Sequence, residues 1–147
     1  MIADFLATEE AIVDRLKDQI AALRHVESKV DTESSAGQDS PSPAAYVEFI
    51  GSRLPQNDSA QAGEGALQEI QLGFMVTLVL RRAGSNGRKL RKEAGPLISA
   101  IFVALAGWLP DEDGRALACV GIERPAYKPN YAYFPLVFQR PLIGVAV

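Results

Sequence analysis

Arg81, Arg82, Arg88, Lys89, Arg91 and Lys92 place six cations within twelve residues, around the glycine-rich turn Gly84-Ser85-Asn86-Gly87, and only Glu93 offsets them. A cluster of that density can engage phosphates or an acidic protein surface through charge alone. Glu10, Asp14 and Asp18 recur at i, i+4 and i+8 and supply the opposite sign. Such a stripe either meets a basic partner or is a solvated helix face. Three readings stay open for the basic run: a solvated loop, a contact with an acidic protein, and a contact with nucleic acid. The acidic part of a second copy is itself an acidic surface, so head-to-tail packing into a ring is physically reasonable. Heterologous interfaces join two different patches and close when the rotation permits.

Other chemistry is sparse. The chain has one cysteine, Cys119, and one histidine, His25, so it can build neither an internal disulfide nor a four-ligand zinc site of Cys and His. Cys119 sits in the apolar run Ala116-Leu117-Ala118-Cys119-Val120 and reads as a buried structural thiol. His25 follows Arg24 and reads as a helix C-terminal cap. Gly63-Glu64-Gly65 lacks the third glycine of a dinucleotide fingerprint, and no Walker A sequence is present. Asp111 and Asp113 before Gly114 look like the start of a calcium loop, but the glycine comes two positions early and position twelve is Ile122. That segment reads as a plain turn. No Gly-x-Ser-x-Gly elbow accompanies the histidine. The expectation is a protein that is not an enzyme and takes no metal or cofactor.

At 147 residues, 48% hydrophobic and 22% charged, the chain is expected to form one domain, 1–147, with a packed core. The formal charge of −3 conceals a division. Residues 1–64 hold 5 Lys/Arg against 12 Asp/Glu, a balance of −7, and residues 65–147 hold 10 against 6, a balance of +4. The start, Met1-Ile2-Ala3-Asp4-Phe5-Leu6, has no basic region and meets Glu9 and Glu10 before any long apolar stretch, so a secretory leader is not expected. The apolar run from Leu97 to Leu109 falls short of the ~20 residues that cross a bilayer and reads as a core helix.

The elements that must position these groups follow from periodicity. Thr8 reads as an N-cap, and Ile12, Leu16, Ile20 and Leu23 recur at helical spacing, predicting a first helix over about 5–24. A short strand is expected from His25 to Val30, and a serine-rich mobile loop over 31–43. Tyr46 to Ile50 reads as a strand ended by Gly51, followed by a second mobile loop near 55–66. From Leu67, apolar Ile70, Leu72, Phe74, Val76, Leu78 and Leu80 alternate with other residues, predicting an overlong strand that projects as an arm or bends at Gly73. Helical spacing from Leu90 to Leu105 is interrupted by Gly95-Pro96, so the helix is placed at 96–107 with a looser basic turn before it and stop signals at Gly107 and Pro110. Ala116 to Ile122 and Tyr131 to Arg140 read as strands, the second an edge or bulged strand because of Pro135. The predicted class is α+β, a mainly antiparallel sheet with two helices packed on one face, in the order α-β-β-β-α-β-β.

Four stretches together resemble the phage tail terminator, or tail completion, family of the Mu-like minor tail protein group. They are Ala11-Ile12-Val13-Asp14-Arg15-Leu16-Lys17, Leu23-Arg24-His25-Val26-Glu27-Ser28, Ala45-Tyr46-Val47-Glu48-Phe49 and Ala104-Leu105-Ala106-Gly107-Trp108-Leu109-Pro110. The resemblance runs through nearly the whole chain in element order and departs at the 31–43 loop and at Pro96. It implies a structural virion protein, assembled in the bacterial host cytoplasm. Such a subunit forms a homo-oligomeric ring, typically a hexamer, on the last ring of the tail tube, stops tube polymerisation and joins it to the neck or head. Partners would be the tail tube protein and a neck or head-tail connector protein, with DNA passing through the lumen and no membrane involved. The long strand and the basic turn would be contact arms. The alternatives are another head-tail joining or neck protein, or a small nucleic-acid-binding module.

Overall fold

A computed structural model describes residues 6–29, 41–53, 67–82, 87–111 and 115–145. The order along the chain is α1 (Ala7–Gln19), β1 (His25–Ser28), β2 (Ala44–Arg53), β3 (Leu67–Arg81), α2 (Gly87–Leu105), β4 (Ala118–Ile122), β5 (Ala126–Tyr127) and β6 (Tyr131–Val145). The expected α+β class and order hold, with the two-residue β5 as an addition. The six strands form one sheet, ordered β1-β2-β3-β6-β4 with β5 beside β6. Only β1 and β2 run parallel; every other pair is antiparallel.

The alternation in β3 decides where the core lies. Leu72, Phe74, Val76, Leu78 and Leu80 are fully buried and face both helices, which contribute Ile12 and Leu16 from α1 and Leu90, Leu97, Ile101 and Leu105 from α2. Cross-strand register carries the same face through the sheet: Phe49 pairs with Phe74, Phe74 with Phe138, and Phe138 with Cys119. Phe49 and Phe74 lie with ring centroids 5.6 Å apart. Each such ring removed from water contributes about 2 to 3 kcal/mol, and the row fixes the register, since a one-residue slip would turn it outward. The opposite face carries half-buried Tyr46, Met75, Thr77, Tyr133 and Val137, with no helix over it among the described residues.

Several boundaries differ from the sequence expectation, each for a local reason. α1 ends at Gln19 rather than near 24, where Ile20 leaves helical geometry at φ −124, ψ 86; Ile20 and Leu23 still bury as the chain turns into β1. Leu6, not Thr8, occupies the N-cap, without a side-chain cap bond. His25 begins β1 instead of capping a helix. β2 runs through Gly51 by a bulge between Phe49 and Gly51; Gly51 takes φ 107, and a Cβ on the facing Gly73 would lie 3.0 Å from Ile50 Cγ1. The bend expected at Gly73 is thus a bulge in its neighbour.

β3 has the predicted length, but it does not project alone: β6 pairs with it throughout, from Leu67 opposite Val145 to Arg81 opposite Tyr131. β6 therefore continues past Arg140 and lies inside the sheet, which corrects the edge assignment drawn from Pro135. The Pro135 carbonyl accepts from Glu123 N–H at 2.9 Å and the Pro141 carbonyl from Arg115 N–H at 3.2 Å, so both prolines turn their imide nitrogens toward the β4 side. β4 covers only Leu136 to Gln139, between the two prolines, where no amide donor is missing. β4 starts at Ala118 rather than Ala116, and Cys119 is half-buried rather than buried.

α2 begins at Gly87, so the run placed in a looser turn is its first two turns and Pro96 lies within it. Gly95 and Pro96 are on the exposed side, while Leu90, Ala94, Leu97 and Ile101 bury on the other, and that packing outweighs the lost backbone bond. Gly107, at φ 79, ends the helix as expected. The loop expected at 55–66, most of that at 31–43, and residues 83–86 and 112–114 lie outside the described residues.

Candidate assembly surface

The basic run becomes a cap at one end of the molecule. Arg81 and Arg82 close β3, and Arg88, Lys89, Arg91 and Lys92 occupy the opening turns of α2; all six are exposed. Arg82 is held in place: its backbone N–H donates to Asn130 O at 2.8 Å, its Nη1 donates to Lys128 O at 3.0 Å, and its guanidinium lies 5.5 Å from the centre of the Tyr127 ring. The Arg81 N–H donates to Ser42 Oγ at 2.8 Å. The first turn of α2 has no acidic residue, although the N–H groups at a helix start carry positive partial charge. Cations there oppose the helix dipole, so this arrangement costs stability and suits an acidic or anionic partner.

Glu10, Asp14 and Asp18 are exposed on α1, and Asp18 Oδ2 accepts from Gln19 Nε2 at 2.8 Å. Glu10 and Asp14 line a groove of about 750 Å³ between α1 and β1, together with Glu9 and Glu27, the cations Lys17 and Arg24, and buried Val13, Ile20 and Val26. This groove follows the β1 edge, whereas Arg82 is anchored beside β5 at the other edge. None of the six basic residues lines the groove that holds Glu10 and Asp14, so the structure does not gather the two sets into that cleft.

His25 lies in β1, where its Nε2 donates to Glu27 Oε2 at 2.7 Å and its ring meets Tyr46 edge-on at 6.0 Å. Cys119 Sγ lies 3.7 Å from Gly121 O. Among the described residues, no three His, Cys, Asp or Glu side chains gather as a metal site.

Sequence reasoning missed the most buried polar constellation. Arg140 is 1% exposed; its Nε donates to Arg115 O at 3.0 Å, Nη1 to Thr8 Oγ1 at 2.8 Å, and Nη1 and Nη2 to the two carboxylate oxygens of Asp111. On the residue after Thr8, buried Glu9, Oε1 accepts from Ser28 Oγ at 2.9 Å. The available signal was position: Leu136, Phe138, Arg140 and Leu142 alternate onto the core face, and only one of them is charged.

Among the described residues, two helices cover one face of a sheet whose buried arginine ties its elements together, an α+β subunit with charge in surface patches. The chain belongs to the phage tail terminator protein family, whose model matches residues 1–143. It is a structural phage tail protein. Its fold is similar to that of a chain in the virion of a native gene transfer agent (GTA) particle, at 20% identity and a TM-score of 0.57, covering 92% of this chain and 94% of that one. No curated protein sequence matches it.

Proposed function

We propose that the protein assembles as a ring, a hexamer as the family resemblance implies, on the last ring of the tail tube. There it stops polymerisation and offers a surface to the neck or head, with DNA passing through the lumen. It assembles in the host cytoplasm, is not an enzyme and uses no cofactor. Membership of the tail terminator family over residues 1–143 is the observation that carries this reading. A basic cap and an acidic stripe that do not share one groove support it, because ring contacts are heterologous and need two unlike patches. Arg81, Arg82, Arg88, Lys89, Arg91 and Lys92 on one side, and Glu10, Asp14 and Asp18 on the other, are the candidate contacts with neighbouring subunits, the tube or the neck.

Deletion of the gene tests this directly by electron microscopy. A terminator is expected to leave overlong tubes. Tails of normal length without heads would instead assign the protein to head-tail joining.

A further inference from the structure

The sheet ends in β1 on one side and in β4 with β5 on the other. β4 carries neither a charged residue nor a proline, two of the devices that guard free edges; its protection is the bulge between Cys119 and Gly121. Val120 and Ile122 are 51% and 56% exposed. The start of the strand is closed, because Leu117 exchanges hydrogen bonds with Gly107 and Trp108 at 2.8 and 2.9 Å. From Cys119 onward no strand pairs with its outer side among the described residues, and the same holds for the outer side of β1.

Strand direction and height make these two edges complementary. β1 and β2 run together, and each step from β2 to β3, β6 and β4 reverses direction, so β4 runs opposite to β1. Copies set side by side by rotation about an axis along the strands would place β4 of one antiparallel to β1 of the next, the more stable ladder. The register puts both edges at one height: Ile122 is opposite Leu136, Leu136 opposite Val76, Val76 opposite Val47, and Val47 opposite Ser28. The balance of charge differs between the two edges. Exposed Arg82, Arg124 and Lys128 stand with Glu123 on the β4–β5 side, and Glu9, Glu10, Asp14 and Glu27 line the groove beside β1 with Lys17 and Arg24.

We propose that β4 of one copy adds to β1 of the next, so that the sheet continues from subunit to subunit and the occupant of each edge is a second copy of this chain. The proposal rests on the ring reading and names the contact that closes it.

Val120→Lys combined with Ile122→Lys places charge on the outer edge without disturbing a buried side chain. The double variant is expected to keep its circular dichroism and thermal midpoint, yet to sediment as a monomer where the wild type sediments as a ring, with the assembly constant weakened at least a hundredfold. Ser28→Cys with Ile122→Cys, in a Cys119→Ala background, places thiols at one height on the helix-bearing face of the two edges. Mild oxidation should then yield a covalent ladder of oligomers, while either cysteine alone yields nothing beyond dimers. Intact rings from the lysine variant together with no ladder would overturn the proposal and leave the ring reading standing. A wild type that is monomeric at every concentration and absent from virions would remove both.

Discussion

Arg140 donates to the hydroxyl of Thr8 at 2.8 Å, across 132 positions of sequence, and so fastens the first turn of α1 to the middle of β6. The same guanidinium reaches the Arg115 carbonyl and the Asp111 carboxylate, joining the start of the chain, the segment after α2 and the sheet. Removing one partner of a buried pair leaves the others unsatisfied, so Arg140→Ala is expected to lower stability by about 3 kcal/mol and the thermal midpoint by about 10 °C. Asp111 is 41% exposed and water can replace it, so Asp111→Asn should cost only about 1 kcal/mol. Urea unfolding of the two variants checks the order; equal losses would mean that the Arg140–Asp111 contact, rather than the other bonds of the arginine, anchors the cluster.

Two exposed glycines should respond differently to the same substitution. Gly95 lies within α2 but immediately precedes Pro96, whose ring crowds a Cβ on the preceding helical residue, so the gain of about 0.5 to 1 kcal/mol from helix propensity should be offset and Gly95→Ala should be close to neutral. Gly107 has open space around it but holds φ 79, so Gly107→Ala should destabilise by about 1 kcal/mol. Thermal unfolding distinguishes them. No loss at either position would show that the backbone at 107 relaxes without cost.

Much of this architecture is legible in residue patterns, and where it is not, tertiary packing has overridden a local rule. The alternation of β3 needs no further context because both its ends coincide with the loss of period two. Ala21 and Ala22 are strong helix formers, yet the helix stops before them because Leu23 buries in the turn toward β1. Pro96 argues locally for a break that the apolar face of α2 overcomes. Pro135 argues for an edge, while the ladder arranges for its imide nitrogen to face the end of β4. The Arg140 cluster was the least accessible, since neither Thr8 nor Asp111 is near it in sequence. The charged candidates were found from local density, but which faces they occupy depends on sheet order.

If charge drives the contact between copies, assembly should weaken with salt. Screening shortens the reach of exposed charges from ~10 Å at 0.1 M to ~3 Å at 1 M, so rings should dissociate on passing from 0.1 to 1 M NaCl. Edge pairing alone would be insensitive or strengthened. Sedimentation at both salts checks this, and nuclease treatment beforehand shows whether nucleic acid contributes: assembly lost on digestion would favour the nucleic-acid reading of the basic cap.

The basic opening of α2 separates stability from function. Arg88 is exposed in the first turn, where a negative side chain suits the helix dipole and a positive one opposes it. Arg88→Glu should therefore raise the stability of the subunit by about 0.5 to 1 kcal/mol, since it removes a repulsion and adds an attraction. If the cap binds an acidic surface, the same substitution should reduce incorporation into tails, and Arg88→Glu with Arg91→Glu should reduce it further. Asp14→Lys supplied in the same chain should restore part of it if that surface is α1 of a second copy, and none if the partner is the tube or the neck. Thermal unfolding of the purified variants and quantitative mass spectrometry of tails from a complemented deletion read the two effects independently. A stabilised variant that incorporates at the wild-type level would show that the cations serve solubility rather than assembly.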